Sequence, residues 1–580
     1  MKEQTAIKAE DKKRPIQIGN NRKYLGKNLR IIPLGGLEEI GRNMTIFEYG
    51  NDIVIVDCGL MFPEEEMMGI DYIIPNIEYL EKNKHKIRGM IITHGHFDHI
   101  GAIPHIAHRI GNPPIYATEL TKALIVRRQE DFKDQSPLNV RVVRKIDRIA
   151  LGVFKIEFFH VNHSIPDSVG VVLRTPVGTI IHTGDFKFDH SPIGDVPADI
   201  SKIARLGSEG ILALMSDSTD SQSEGYSVSE SKIRENLEKI FVSAKGRVIT
   251  ATFSSLVSRI QQIAEIADKY GRKLVIEGYS MKNTVEIAKE LGYINAKKST
   301  FIDVKEINNY PDSKIAVLCT GAQGEGNAVL MRIVNGEHRY IQIHHGDTVI
   351  FSSSVIPGNE RTVQGMKDTL YKKGAEVIHY KMMDIHSGGH ARQEDLKMMI
   401  NLVRPKYLIP IHGTYYMLKL HANLATMVGM DEKNTLVGEN GRVIEFDYRG
   451  NGKVTSEKVP SSYVMVDGLG VGDIGNVVLR DRQLLAKDGM FTIVTVIDKK
   501  TKKVIGEPQV TSRGFIYVKE NFDLVNATKK RVKAIVAKST SKDALPNWDY
   551  IKNNIRDDLG QFLFQKTQRR PMVLPVIIEV

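Results

Sequence analysis

The chain has 580 residues, 80 Lys and Arg against 69 Asp and Glu, a formal net charge of +11, and two cysteines, Cys58 and Cys319. With 42% hydrophobic and 26% charged residues it is a globular composition with a sizeable core, not a collagenous, low-complexity or disordered one. Two cysteines exclude a disulfide scaffold and a thiolate-rich metal site and suit a reducing compartment.

Residues 1–28 read as a basic flexible arm whose start, MKEQTAIKAEDKKRPIQ, lacks the apolar stretch of a secretory signal. No apolar run approaches the roughly 18–20 residues that span a bilayer, so no membrane partner and a cytoplasmic location are expected. From Leu29, short apolar runs such as LRIIPLGG, MTIFEYG and DIVIVDCG predict strands, followed by KIRGMIITHGH, a helically spaced HIGAIPHIAHRIG, and the strands KIEFFHVNH, SVGVVLRTP and GTIIHTGDF. This first α/β part runs over 29–229. Residues 230–385 alternate helices such as SESKIRENLEKIFVSA with strands such as GRVITATF and KIAVLCTG, which predicts a second α/β domain on a largely parallel sheet. Histidine-rich loops return at 386–448, with PKYLIPIHG as a strand, so the second domain reads as an insertion into the first. Residues 449–476 read as a Gly/Ser-rich linker. Residues 477–580 read as a small α+β domain with strands FTIVTVID, RGFIYV and MVLPVIIEV.

The chemistry concentrates in Thr93-His94-Gly95-His96-Phe97-Asp98-His99, where a strand passes into a helix. Imidazole and carboxylate are ligands of divalent transition metals. His94 and His96 can converge through the glycine turn, while Asp98 and His99 on the next turn can face a second ion. His163, Asp185 and His412 end other strands and are further donors, although each taken singly is better explained by a structural role; together, after the HxHxDH loop, they are not independent. Two ions about 4 Å apart can activate water and stabilise an in-line displacement at phosphorus. The leaving oxygen then needs a proton. Asp384-Ile385-His386-Ser387-Gly388-Gly389-His390-Ala391 offers two histidines for it, with glycines whose amides can approach a phosphate.

HGHFDHIG, VNHSIPDS, HTGDFK and IPIHG together resemble the successive metal motifs of the metallo-β-lactamase fold. The inserted domain and later His loops resemble its β-CASP nuclease branch, and within it bacterial ribonuclease J, from about Leu29 to the C-terminus. The resemblance implies an α/β architecture: a metallo-β-lactamase αββα sandwich with an inserted β-CASP α/β domain and a small C-terminal α+β domain. It further implies that His94, His96 and His163 bind one Zn2+ and that Asp98, His99 and His412 bind a second, with Asp185 bridging and Asp57 supporting the ligand loop. Mn2+ or Mg2+ are alternatives. His390, oriented by Asp217, would supply the proton, its other reading being a zinc ligand or a turn histidine.

By the same resemblance His386, Ser387, Gly388, Gly389 and His390 cradle a substrate phosphate, and Ser254, Ser255 and Leu256 match a second nucleotide-contacting stretch. Leu256 stands where the family often has Asn, and HSGGHA where it usually has HxSGHA. SSSVIPGNE at 352–360 is a further match, and Ala322 and Gly326 depart from the family's GSQGEP pattern. Asp71 reads either as part of a separate cation site or as a capping residue. The implied function is 5′→3′ exonuclease activity, preferring 5′-monophosphates, and endonuclease activity on single-stranded RNA in mRNA decay and rRNA maturation. A homo-oligomer, dimer or tetramer, or a complex with a paralogous subunit or other RNA-decay proteins is expected. Lys529, Lys530, Arg531 and Lys533 serve either that assembly or RNA contact. The alternatives are a small-molecule hydrolase of the same fold, a DNA-directed β-CASP nuclease and a non-catalytic scaffold subunit.

Overall fold

The computed structural model describes residues 26–580 except 65, 134, 325–327, 356–357 and 541–546. The expected basic arm, apart from its last three residues, lies outside them, as does Gly326. The chain divides into two compact units, one running to Met61 and over Ile74–Tyr463, the other comprising Phe62–Ile73 and Val464–Val580.

In the first unit two sheets face each other. One has eight strands, with Leu29–Gly35, Met44–Tyr49, Asp52–Val56 and Ile87–Ile91 adjacent at its centre; the other has six, ordered Tyr407–Ile411, Ile211–Asp217, Thr179–His182, Val169–Arg174, Phe154–His160, Arg148–Leu151. Strand Phe154–His160 shows why its sequence is apolar on both sides. Phe154, Ile156 and Phe158 pack into the core between the sheets with Leu29, Phe47 and Val54, as the two-residue period of a strand requires. Phe159, with Val161 just beyond the strand, packs into an outer layer with Leu206, Met399 and Leu424, under the helices Ile200–Ser208, Gln393–Val403 and Tyr415–Met427. This is an αββα sandwich.

Strand Tyr407–Ile411 pairs in parallel with Ile211–Asp217, Asp217 beside Ile411, so residues distant in sequence complete one sheet. Between them the chain forms a six-stranded sheet, ordered Phe301–Ile302, Lys273–Glu277, Ile315–Cys319, Val248–Ala251, Thr348–Phe351, Glu376–His379, and parallel throughout. Apolar clusters cover both of its faces, with the helices Glu230–Ser243, Val257–Lys269 and Tyr279–Glu290 on one and Val329–Asn335 and Glu360–Lys372 on the other. Both-face burial explains its unalternating runs IAVLC and TVIF.

In the second unit Met490–Ile497 pairs antiparallel with Gln509–Arg513 and parallel with Met572–Glu579. Phe491, Ile493 and Ile497 pack against Val532, Val536, Ile555 and Leu559 of helices Phe522–Thr540 and Trp548–Thr567, an α+β arrangement. Three expectations need correction. The linker expected at 449–476 is structured: Gly452–Lys458 pairs with Arg442–Phe446, and Val464–Asp467 pairs with Gly470–Val471, because backbone pairing satisfies its polar groups despite the glycines. RGFIYV is not a strand; pairing stops at Arg513, after which Gly514 takes φ 72°. HIGAIPHIAHRIG forms no continuous helix but breaks between Phe97–Ile100 and Ile103–Ile106, where Pro104 sits in the first turn of the second. No helix among the described residues is long and apolar enough to cross a membrane.

Candidate metal centre and acid

Strands Phe154–His160, Thr179–His182, Ile211–Asp217 and Tyr407–Ile411 run in one direction, so the residues at their carboxyl ends gather at one edge of the sandwich. Asp57 and Thr93 follow the paired strands Asp52–Val56 and Ile87–Ile91. Asp57, at φ 63°, accepts from the Thr93 amide at 2.8 Å and lies 2.8 Å from His99 Nδ1. It thus fixes the ring of His99 with Nε2 turned to Asp185 Oδ2, 3.1 Å away. Orienting partners of this kind set the tautomer and direction of a ligand imidazole.

Three imidazole nitrogens converge: His94 Nε2 lies 3.1 Å and His163 Nε2 3.0 Å from His96 Nδ1. The Gly389 carbonyl holds His163 from behind, 2.6 Å from Nδ1. Beside them Asp98, His99, Asp185 and His412 form a second group, all able to place one donor atom within 4.8 Å of the others, as do His94, His96 and His163. Asp185 stands between the groups. Its Oδ1 is 2.9 Å from His412 Nδ1, and its Oδ2 is 3.7 Å from His94 Nε2 and 3.9 Å from His163 Nε2. His412 is held at φ 52°, with its amide donating to Gly36 at 2.7 Å, a strained conformation of the kind found at functional sites.

Electrostatics divides the two groups. Burial, then the neighbouring imidazoles, keeps His94 and His163 well below the ordinary histidine pKa and His96 at about 4. These three rings are neutral and keep a lone pair for a cation. Burial also opposes charge on His99 and His412, but Asp185 and Asp98 overcome it, raising His99 and pushing His412 up to about 10. The two carboxyls are in turn held well below their usual range despite burial, Asp98 chiefly by His99 and Asp185 chiefly by His412. His412 Nε2 is buried, 3.4 Å from Asp98 Oδ2 but without a hydrogen bond of good geometry. Imidazoles and carboxylates converging without thiolate fit divalent transition metal.

At the rim, His390 Nδ1 lies 2.8 Å from Asp217 Oδ2 while the side chain stays 22% exposed. Burial alone would lower its pKa; the Asp217 carboxylate outweighs that and holds it above the ordinary value. The other expected substrate contacts divide. His386 is kept neutral, at about 3, by burial and then Arg259, and its Nδ1 has no partner. Ser254 and Ser255 lie half-buried in the turn before helix Val257–Lys269. The Ser387 hydroxyl instead points inward, donating to the Val228 carbonyl at 2.7 Å. Leu256, expected at the substrate, is 3% exposed: an apolar side chain gains by leaving water, so it is withdrawn from any solvent-side ligand. Ser352 and Ser353 are also buried, the latter with an unpartnered hydroxyl, and Ala322 is buried in the inserted sheet's core.

Asp71 caps a turn, accepting from the Gly468 amide at 2.8 Å. In the basic tail, Arg531 pairs with Asp558 and Lys533 with Glu507. Sequence reading missed Asn43, whose Nδ2 is 3.2 Å from His99 Nε2, and the buried Lys187, Glu230 and Arg259. The signal for Arg259 was present: an arginine with Leu256 three residues before and Ile263 four after lies on the apolar face of its helix.

The metallo-β-lactamase superfamily matches residues 37–238, the ribonuclease J β-CASP domain 245–370, the Zn-dependent metallo-hydrolase RNA specificity domain 377–436, and the ribonuclease J C-terminal domain 477–580. Ribonuclease J2 of Bacillus subtilis is 40% identical over 554 residues, 96% of this chain and 99% of that protein. Ribonuclease J 1 of Streptococcus pyogenes is 41% identical over 549 residues, 94% and 97% of the two chains. Ribonuclease J 2 of Staphylococcus aureus is 38% identical over 558 residues, 96% and 99%. A crystal structure of a protein of unknown function from Enterococcus faecalis, 18% identical, matches with a TM-score of 0.50 over 72% of this chain and 100% of its own, a likeness of fold alone. Across nearly its full length, then, the chain is a member of the ribonuclease J family, a metal-binding nuclease of the metallo-β-lactamase fold.

Proposed function

We propose that the chain hydrolyses single-stranded RNA from a 5′-monophosphorylated end in the 5′→3′ direction and also cleaves internally, using two zinc ions, with a cytoplasmic role in mRNA decay and rRNA maturation. The observation that carries this reading is the Asp217–His390 pair, 2.8 Å apart, at the edge of the seven-residue donor cluster. His94, His96 and His163 would hold one cation and Asp98, His99 and His412 the other, with Asp185 placed to serve both. Bound cations supply Lewis acidity toward water and the phosphoryl oxygens. His390 carries a proton to the leaving 3′-oxygen, and Asp217 keeps it charged until then. His386, the unpartnered Ser353 hydroxyl, the amides of Gly388 and Gly389, and the turn Ser254–Ser255 at the start of a 13-residue helix offer neutral donors to a phosphate.

Self-association belongs to the same proposal. On strand Met572–Glu579, Leu574, Val576 and Ile578 form an alternate row, 39–44% exposed, and a second copy of the chain would bury it. Sedimentation of wild type beside a Val576→Lys variant tests this.

The activity test is a time course on 5′-monophosphorylated RNA beside its 5′-triphosphate and DNA equivalents, with His390→Ala as control. Mononucleotides released from the monophosphorylated RNA alone, and lost in the variant, are expected. Preference for DNA would make this a DNA-directed enzyme. No cleavage with zinc, manganese or magnesium would leave a scaffold subunit.

A further inference from the structure

Between the metal cluster and the inserted parallel sheet runs a line of buried charge that the scheme above leaves unused. Lys187 follows Asp185 by two residues. Its Nζ lies 3.4 Å from Glu230 Oε1 and 3.9 Å from Asp189 Oδ2, and donates to Ser387 Oγ at 3.3 Å. Glu230 accepts at Oε2 from Arg259 Nη2 at 2.8 Å and Gln262 Nε2 at 2.9 Å. Arg259 Nη1 donates to Ser352 Oγ and, at 2.7 Å, to the Ile385 carbonyl, which the Ser352 hydroxyl reaches as well, at 2.6 Å. Lys187 and Arg259 are at most 1% exposed. A guanidinium is costly to bury, and a hydrophobic side chain would suit the same helix face, where Ile260, Ile263 and Ala264 pack.

What the charge secures is geometry. Ser387-Gly388-Gly389 has little conformational preference of its own, so the course of residues 385–390 must be imposed from outside. Beside two local bonds, Ile385 amide to Met383 carbonyl and Ser387 hydroxyl to Gly388 carbonyl, the holds come from other elements: Asn236 on the Asp384 carbonyl at 2.9 Å, Arg259 and Ser352 on Ile385, Val228 and Lys187 on Ser387, His163 on Gly389. His390 ends this segment.

We propose that Arg259 is a positioning residue for RNA cleavage: held by Glu230, which Lys187 pairs from the other side, it fixes residues 385–390 so that His390 meets the leaving oxygen. The proposal rests on the ribonuclease reading and extends it to a residue that touches neither metal nor substrate.

The test compares wild type, Arg259→Lys and Ser352→Ala, loaded with zinc, on RNA and on bis(p-nitrophenyl) phosphate. Nitrophenolate departs without needing a proton, so the second substrate reports the metal cluster alone. A lysine keeps the charge beside Glu230 but cannot also reach Ile385. For Arg259→Lys, kcat on RNA is expected to fall about 100-fold, the loss that a displacement of roughly 1 Å produces. Ser352→Ala is expected to fall in the same direction, by less. Zinc content and the nitrophenyl ester rate should stay within about twofold of wild type. An unchanged RNA rate, or equal falls on both substrates, would overturn the proposal, since the second outcome marks a merely structural role. Should Arg259→Lys not fold, Ser352→Ala decides by the same comparison. A wild type that hydrolyses the ester but not RNA would instead sink the ribonuclease reading, before any variant is compared.

Discussion

His390 and Asp217, 173 residues apart in sequence, meet at 2.8 Å between Nδ1 and Oδ2. The carboxylate ends the strand Ile211–Asp217, and the imidazole lies in the loop between strand Glu376–His379 and helix Gln393–Val403. Replacing His390 by Ala should lower RNA cleavage about 100- to 10,000-fold, the range for a lost general acid, while bound zinc is retained. Asp217→Asn removes what raises the His390 pKa. A raised pKa keeps the acid protonated to higher pH, so in that variant the alkaline limb of the kcat profile should move to lower pH. An unmoved limb counts against the assignment.

Asp185 touches both ligand groups. Asp185→Asn should weaken metal binding by at least about 100-fold, more than an outer hydrogen-bonding partner would. Elemental analysis after dialysis, read beside RNA cleavage, measures it.

Removing metal should also destabilise the fold. A cation bound at 100 times its Kd adds about 2.7 kcal/mol, so a chelator should lower Tm, and zinc added back should restore it. An unchanged Tm would mean that the cluster of histidines folds around no ion.

Gly389 faces His163 closely: a Cβ there would come within 2.4 Å of His163 Cε1 and 2.5 Å of Nδ1. That ring cannot retreat without leaving His96. Gly389→Ala should therefore cost metal at the three-histidine group as well as activity, whereas Gly388→Ala, whose Cβ would meet nothing nearer than 3.8 Å, should keep its metal.

Glu230 is held well below the usual carboxyl range, although burial opposes this, by Arg259 and then Lys187. A depressed carboxyl contributes stability above its unfolded pKa of about 4.3 and loses it as pH falls from there through the folded value. Glu230→Gln leaves two buried cations short of a partner and should cost about 3 kcal/mol at neutral pH. Denaturant titrations should show that deficit shrinking below about pH 4, as the unfolded wild-type chain takes up the proton that the folded one still refuses.

How much could be read from the chain differs by element. HGHFDH announces itself because its donors are adjacent, and the strands before His163, Asp185 and His412 are apolar enough to mark where each turn falls. The parallel inserted sheet was visible in runs such as IAVLC, which only burial on both faces explains. Leu256 could be aligned with a contact but not seen to turn inward, and 449–476 looked like a linker because glycine and serine content says nothing of a strand waiting elsewhere to pair. The amino-acid sequence by itself determined the donors, their strand-end spacing and the layered α/β and parallel-sheet character, since periodicity and residue chemistry are local properties; the αββα arrangement followed from the family resemblance. Only the tertiary structure decided that Asp217 reaches His390, that Ser387 points inward and that Arg259 clamps the loop ahead of them, because each depends on parts brought together by the packing of three sheets.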